Sequence, residues 1–290
     1  LDVALSSAGS KTLFAPTDGA FNLLPAGTVT ALLADIPQLT DILLYHVVGD
    51  SVMSSTLTNG QIVTTLNGAD VTVTVNSSGV YINNAQVTVT DILASNGVVH
   101  VIDAVLLPTI YDVVSTSNDH TILETAVDAC GLDVALSSAG SKTLFAPTDA
   151  AFSLLPAGTV TALLADIPQL TDILLYHVIG DSIMSDSLFN GQILTTLNGS
   201  DVTVTINSTG VYINNAQVTV TDILASNGVV HVIDAVLLLN TSTVVENEIL
   251  SKGSYLYTVN ILGKVISRDT RNQIVFDIYS NGEIQKRYTR

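Results

Sequence analysis

The chain has 290 residues, 47% of them hydrophobic, and a formal net charge of −17. That length predicts about two domains of roughly 150 residues each, with ample apolar material for their cores. Its apolar runs fall short of the ~20 residues that a bilayer-spanning helix needs, so no membrane span is expected. Only Lys11 and Lys142 stand against 23 acidic residues before Ser251, which leaves almost no cation to neutralise phosphates. This balance excludes nucleic acid and anionic membranes as partners of the body and suits a solvated extracellular surface, including a salty one. The last 40 residues invert the balance, with seven cations and three acids. A single cysteine, Cys130, can form neither an internal disulfide nor a cysteine metal cluster, and reads as a small buried apolar residue.

Internal repetition dominates the sequence. Residues 132–238 repeat residues 1–107 at an offset of 131, with eleven differences, most as mild as Val48/Ile179 or Ala69/Ser200. The stretch YINNAQVTVTDILASNGVVHVIDAVLL is identical at 81–107 and 212–238. A unit of this length is a domain rather than a solenoid turn. The second copy has a lead-in, 109–131, whose counterpart in the first is expected before Leu1, so the chain reads as part of something longer.

Taken in order through the second copy, Asn118-Asp119 can cap a helix over 121–129, with Ile122, Ala126 and Ala129 on one face. A short strand follows at 142–147, then a helix over 150–155 capped by Thr148 or Asp149. Thr159 caps a further helix to Ala165. Ile167-Pro168 opens a third, with Pro in the first turn where its missing N–H costs nothing. On this helix Leu170, Ile173, Leu174 and His177 share a face at i, i+3, i+4, i+7 spacing. Strands are expected at 191–197, 202–206, 211–213, 218–220 and 229–238, with turns at Asn198-Gly199 and Thr209-Gly210. In the shared stretch, Val87-Thr88-Val89-Thr90 alternates as a half-buried strand, Asn96-Gly97 turns the chain, and 98–107 reads as a strand covered on both faces. Early helices and late strands make each copy α+β, a twisted antiparallel sheet system with helices packed on it.

At this point the residues resemble a known family. The blocks TLFAPTDGAF at 12–21 and its copy at 143–152 are similar to the first signature of fasciclin domains. NGVVHVID at 96–103 and 227–234 is similar to the second, and Leu-Tyr-His-Val at 44–47 and 175–178 to the Tyr-His motif between them. The resemblance covers nearly all of 1–239. It implies two domains, 1–108 and 109–240, each a wedge of two sheets with surrounding helices, deployed as extracellular adhesion modules. It also implies ligand contacts at Tyr45, His46, Asp91 and Ile92, and at Tyr176, His177, Asp222 and Ile223. The residues themselves favour structural roles. His46 and His177 lie on the apolar stripe of their helix, His100 and His231 lie within apolar strands, and Asp91 and Asp222 can cap a turn.

After a polar linker at 241–254, residues 255–290 read as a small all-β unit, with Asn281-Gly282 as a hairpin turn between alternating segments. This tail resembles the C-terminal sorting domains of bacterial type IX secretion. The resemblance rests on Leu262, Gly263, Lys264, Tyr279, Asn281, Gly282, Lys286 and Arg287. It implies recognition by the secretion machinery and passage through the periplasm to the surface of a Gram-negative bacterium, or beyond. Ser51, Ser182 and Ser187 fall in Asp-Ser-apolar tripeptides similar to the O-glycosylation acceptors of such bacteria. No nucleophile elbow, phosphate-binding loop, His-x-x-x-His or Ca²⁺ loop is present, so neither an enzyme nor a cofactor or metal is expected. The expected function is adhesion or biofilm-matrix binding, with an extracellular matrix, polysaccharide or cell-surface ligand. The alternative is a carbohydrate-binding module of a larger extracellular polysaccharide-handling protein.

Overall fold

The computed structural model describes residues 5–239, 255–260, 265–266, 273–279 and 284–289. The chain divides into two compact units, Leu1–Leu238 and Leu239–Arg290. In the first copy, β1 (Lys11–Pro16) leads into helices Asp18–Phe21, Thr28–Ala34 and Ile36–Tyr45, then β2 (Val47–Val48) and a 3₁₀ turn, Ser54–Thr56. Five strands follow: β3 (Ile62–Thr64), β4 (Asp70–Asn76), β5 (Gly79–Ile82), β6 (Ala85–Ala94) and β7 (Gly97–Ile102). The second copy opens with lead-in helices Ile110–Ser115 and Thr121–Ala129, followed by the helix Asp133–Ser137. It then repeats the pattern as β8 (Lys142–Pro147), β9 (Val178–Ile179), β10 (Ile193–Thr195), β11 (Asp201–Asn207), β12 (Gly210–Ile213), β13 (Ala216–Ala225) and β14 (Gly228–Ile233).

Each copy forms one seven-stranded sheet, ordered β2-β1-β7-β6-β5-β4-β3 in the first and β10-β11-β12-β13-β14-β8-β9 in the second. The two ends of the first sheet meet at a bridge, Val48↔Thr65, so it curls into a barrel-like wedge; Ile179↔Thr196 does the same in the second. One expectation is corrected here. The sheets are not wholly antiparallel, because β1 pairs in parallel with β7 and β8 with β14. A parallel partner must be reached by a long crossover, and alternation within a strand carries no information about which distant strand lies beside it. Gly97 and Gly228 sit where that pairing is tightest. A Cβ there would lie 2.0 Å from the Lys11 carbonyl oxygen and 1.9 Å from that of Lys142, so these glycines serve close backbone approach as well as the turn.

Other corrections concern ends and caps. The run expected as a strand over 98–107 leaves the sheet after Ile102, and its copy after Ile233. Conversely β6 continues to Ala94, with two register shifts between Val87 and Ile92, so Val89 ends up 48% exposed rather than on a buried face. Thr148 caps the helix Asp149–Ser153, its hydroxyl accepting from the Ala151 N–H, as the sequence suggested. Thr159 is the first helical residue and not the cap, which is the left-handed Gly158. The helix Thr121–Ala129 is not capped by Asn118-Asp119. Asp149, from the helix Asp149–Ser153 beyond β8, accepts from Thr121 Oγ1 at 2.6 Å and from the Ile122 N–H at 2.8 Å. Cys130 is half-buried at the end of that helix rather than buried.

The second unit contains β15 (Tyr255–Asn260), β16 (Val265–Ile266), β17 (Gln273–Tyr279) and β18 (Ile284–Thr289) in one antiparallel sheet ordered β16-β15-β17-β18. Its interior includes Val275 and a buried carboxylate, Asp277, which accepts from the Thr258 hydroxyl across the β15/β17 pair. Tyr279 ends β17, and Lys286 and Arg287 lie on β18 opposite Phe276 and Val275. Leu262, Gly263, Lys264, Asn281 and Gly282 lie outside the described residues.

Candidate adhesion surface

The Tyr-His pairs end the helices Ile36–Tyr45 and Ile167–Tyr176 and point inward. Tyr45 is 0% exposed, its hydroxyl donating to the Asp70 carbonyl and accepting from Asn83 Nδ2, both at 2.9 Å. Burial, with help from Asp112 and Asp70, drives its phenol pKa well above the usual range. His46 and His177 bridge backbone groups that would otherwise be buried and unpaired. His177 Nδ1 donates to the Ile173 carbonyl at 2.8 Å, and its Nε2 accepts from the Leu237 N–H at 2.9 Å; His46 does the same with Ile42 and Leu106. A carbonyl can only accept and an N–H can only donate, so these contacts fix the neutral Nδ1–H tautomer. Burial pushes the His177 pKa down to about 4, and that of His46 downward in the same sense.

His100 and His231 form a second set of bridges. His231 Nε2 donates to the Ile183 carbonyl at 2.8 Å, and its Nδ1 accepts from the Asp222 N–H at 3.2 Å. Each ring also stacks on a core phenylalanine, with centroids 5.9 Å apart for Phe14/His100 and 5.8 Å for Phe145/His231. All four repeat histidines therefore hold the wedge together, as their apolar surroundings in the sequence suggested.

Asp91 and Asp222 sit at the register shift of β6 and β13 in the left-handed region, with φ of 58° and 62°. A non-glycine residue held there by its surroundings marks a built feature. Asp91 accepts from the Ser54 N–H at 2.8 Å and also from the Ser54 hydroxyl, so it caps the 3₁₀ turn Ser54–Thr56; Asp222 does the same for Ser185. These hydrogen bonds hold the Asp91 carboxyl below the usual carboxylate range. The Asp is thus spent on the loop, and what it presents outward is the pair that follows. Ile92 is 46% exposed and Leu93 75%. The sequence reading named Ile92 but missed Leu93; an apolar pair directly after a bulge-forming Asp was the available signal.

The duplicate loop has a different fate. Leu224 is 9% exposed and packs among Ala20, Leu32, Ile42 and Val105 of the first domain. Gln38 Nε2 donates to the Asp222 carbonyl across the same junction at 3.0 Å. Beside it lies a cleft of about 360 Å³ lined by Gln38, Asp41, Asn67, Asn118, Asp119 and Ile223 among others. The Tyr-His and Asp-Ile pairs bond to separate partners, so the structure does not gather them into one site. Ser51, Ser182 and Ser187 are exposed. Among the described residues no group of His, Cys, Asp and Glu is arranged to hold a metal ion, and no helix is long and apolar enough to cross a membrane.

Comparison with known proteins accounts for this architecture. The family model for the fasciclin domain matches residues 1–108 and 118–239. The chain is 32% identical over 237 residues to transforming growth factor-beta-induced protein ig-h3 of Sus scrofa, covering 79% of this chain and 35% of that protein. It thus spans about a third of the length of this relative. It is 39% identical over 133 residues to an uncharacterised protein of Synechocystis, covering 46% of this chain and 99% of the other. Immunogenic protein MPB70 of Mycobacterium bovis is 38% identical over 102 residues, 35% of this chain and 52% of MPB70. A FAS1 domain pair from the insect cell adhesion molecule fasciclin I aligns at TM-score 0.43 and 22% identity, over 81% of this chain and 90% of that one. The chain belongs to the fasciclin family, with two fasciclin domains in tandem.

Proposed function

We propose that this protein is an adhesion protein of the cell exterior, using fasciclin domains to hold a matrix, polysaccharide or cell-surface ligand. The observation that carries the reading is the fixed apolar edge of the first domain, Ile92-Leu93, presented by a loop whose Asp is consumed in shaping it. Tyr45 and His46 support the wedge from inside, as Tyr176 and His177 do in the second domain, where Ile223 is half-buried and Leu224 is engaged at the junction. Duplication fits multivalent attachment, since linking weak sites raises avidity by roughly 10²–10⁴ without new contacts. Replacing Leu93 by Asp is expected to weaken attachment to the ligand-bearing surface at least about tenfold while leaving circular dichroism unchanged. Unaltered attachment by a folded L93D chain would remove this edge from the mechanism.

The tail is assigned the role of a type IX sorting domain, recognised by the secretion machinery of a Gram-negative bacterium after passage through the periplasm. Supporting this are its separate compact unit, its four-stranded antiparallel sheet and its excess of cations at the C-terminal end. Deleting 255–290 is expected to trap the protein in the periplasm, and normal surface display of that truncation would refute the assignment. Exposed Ser51, Ser182 and Ser187 are the O-glycosylation candidates; mass spectrometry of the secreted protein tests them.

A second reading, a carbohydrate-binding module, is favoured by the cleft at the junction, whose amides and carboxylates from Gln38, Asp41, Asn67 and Asn118 are suitable partners for sugar hydroxyls. A glycan array probed with the whole chain separates the two readings. Specific micromolar binding to one glycan, lost in Asn67→Ala, would favour the module.

A further inference from the structure

The two copies differ at eleven positions, and seven of these fall within 55–78 and its counterpart 186–209. Differences concentrated at one end of a duplicated domain mark the surface where the copies part in what they contact. Three of them meet at the β11–β12 hairpin, and each enlarges the apolar surface of the second domain. Phe189 stands where the first domain has Thr58, Ile206 where it has Val75, and Thr209 where it has Ser78. Phe189 is 61% exposed and Ile206 37%. Leaving so large an aromatic ring in water forgoes burial that would stabilise the fold.

The exposure is built into the backbone. The Phe189 N–H donates to Gln192 Oε1, and the Phe189 carbonyl accepts from the Gln192 N–H, both at 3.1 Å. Asn190, the next residue, accepts at Oδ1 from the Ile206 N–H at 2.8 Å. Gly191, with φ of 84°, donates to the Val204 carbonyl at 2.8 Å. The ring is therefore held beside the end of β11. On the hairpin itself Thr205 pairs with Tyr212 and Ile206 with Val211. Thr209 Oγ1 shares a 2.9 Å hydrogen bond with the half-buried Tyr212 hydroxyl, and the Thr209 carbonyl accepts from Gln217 Nε2 at 3.0 Å. The same frame exists in the first domain, where the Thr58 N–H bonds to Gln61 Oε1 and the Val75 N–H to Asn59 Oδ1, both at 3.0 Å. One frame thus carries a polar tip in one copy and an aromatic tip in the other.

We infer that this edge of the second domain, formed by Phe189, Ile206 and Tyr212 with the hydroxyls of Thr205 and Thr209, binds a neutral polysaccharide. The inference rests on the adhesion reading above and narrows both the ligand and its place. A sugar ring has an apolar C–H face and a rim of hydroxyls. The edge matches it with a preset aromatic ring beside hydroxyls that can each donate or accept. Charge selects against acidic glycans. The only cations of the two domains, Lys11 and Lys142, are taken up by the carbonyls of Ser7 and Ser138, and the exposed Asp186 precedes the ring by three residues. A protein partner fits less well, because Asn190, Thr205 and Asn207 break the apolar surface into small pieces, whereas a protein interface needs a continuous apolar core.

Affinity electrophoresis of the whole chain through gels containing hydroxyethylcellulose, mannan or dextran, with alginate as the acidic control, tests the inference. Retardation by at least one neutral polymer and none by alginate is expected. Phe189→Thr gives the second domain the side chain that the same frame holds in the first, so folding is not at issue. It should weaken binding at least about tenfold, and Thr58→Phe should strengthen it at least about twofold by adding a second site. Unchanged binding by the F189T chain, retardation by alginate alone, or no retardation by any neutral polymer would each overturn the inference. Self-association abolished by F189T in sedimentation would show that a second copy covers the ring, and would overturn it too. Adhesion of the same chain to the cells that produce it is measured alongside. Adhesion that persists while every polymer fails refutes this ligand and leaves the adhesion reading standing, whereas loss of both refutes both.

Discussion

The most exacting test of this architecture is the proton balance at His177. Its ring is fully enclosed, donates to Ile173 and accepts from Leu237, so a second ring proton would face the Leu237 N–H with nothing to receive it. Burial accordingly depresses its pKa from 6.5 to about 4. Because the folded state resists a proton that the unfolded state accepts, the unfolded chain binds more protons between those values, and stability falls as pH is lowered through this window. The stability is fully present above pH 6.5 and is lost progressively towards pH 4. At pH 5 the loss is about 2 kcal/mol, approaching about 3 kcal/mol at and below pH 4. Hydrogen exchange of the Leu237 amide, corrected for its intrinsic rate, reports the opening free energy of this site directly at pH 7 and pH 5. A His177→Gln variant is less stable at pH 7 but lacks this titration, so its opening free energy should change by about 2 kcal/mol less across the same interval. Identical pH dependence in the two proteins would show that His177 is not the proton-sensitive group and would refute the reasoning.

Other outcomes follow from the same contacts. Gly228→Ala places a methyl group 1.9 Å from the Lys142 carbonyl oxygen, so the central parallel pair must separate. A loss of about 3 kcal/mol or more in urea unfolding is expected, and a near-neutral result would contradict the register of β8 against β14. Tyr176→Phe removes a hydroxyl that donates to the Asp201 carbonyl and accepts from Asn214 Nδ2, both at 2.9 Å. The cost is about 1–3 kcal/mol, read from the same unfolding curves.

The duplication, the order of helices before strands, the three signature blocks and the buried character of the histidines were all legible in the residues. Apolar periodicity and turn chemistry are local, and the blocks lie in unbroken runs. Three things were not legible. Pairing of β1 with β7 joins segments more than 80 residues apart, and neither strand's pattern encodes its neighbour's direction. The cap of the helix Thr121–Ala129 comes from Asp149, while the adjacent Asn118-Asp119 offered the more obvious local donor of that role. Gly97 and Gly228 looked like turn residues, and only the approach of a distant carbonyl reveals their second duty.

The sharpest difference concerns the duplicated loop. Sequence alone determined that Asp91-Ile92-Leu93 and Asp222-Ile223-Leu224 are the same object, since identical letters with identical neighbours must fold alike locally. Tertiary structure decided that, among the described residues, they meet different surroundings. Leu93 stands 75% exposed at a free edge, and Leu224, at 9%, is pressed into the first domain. The physical reason is that burial is a property of what arrives from elsewhere in the chain. The two copies encode one surface, and only their unequal surroundings assign one loop to the junction and leave the other open.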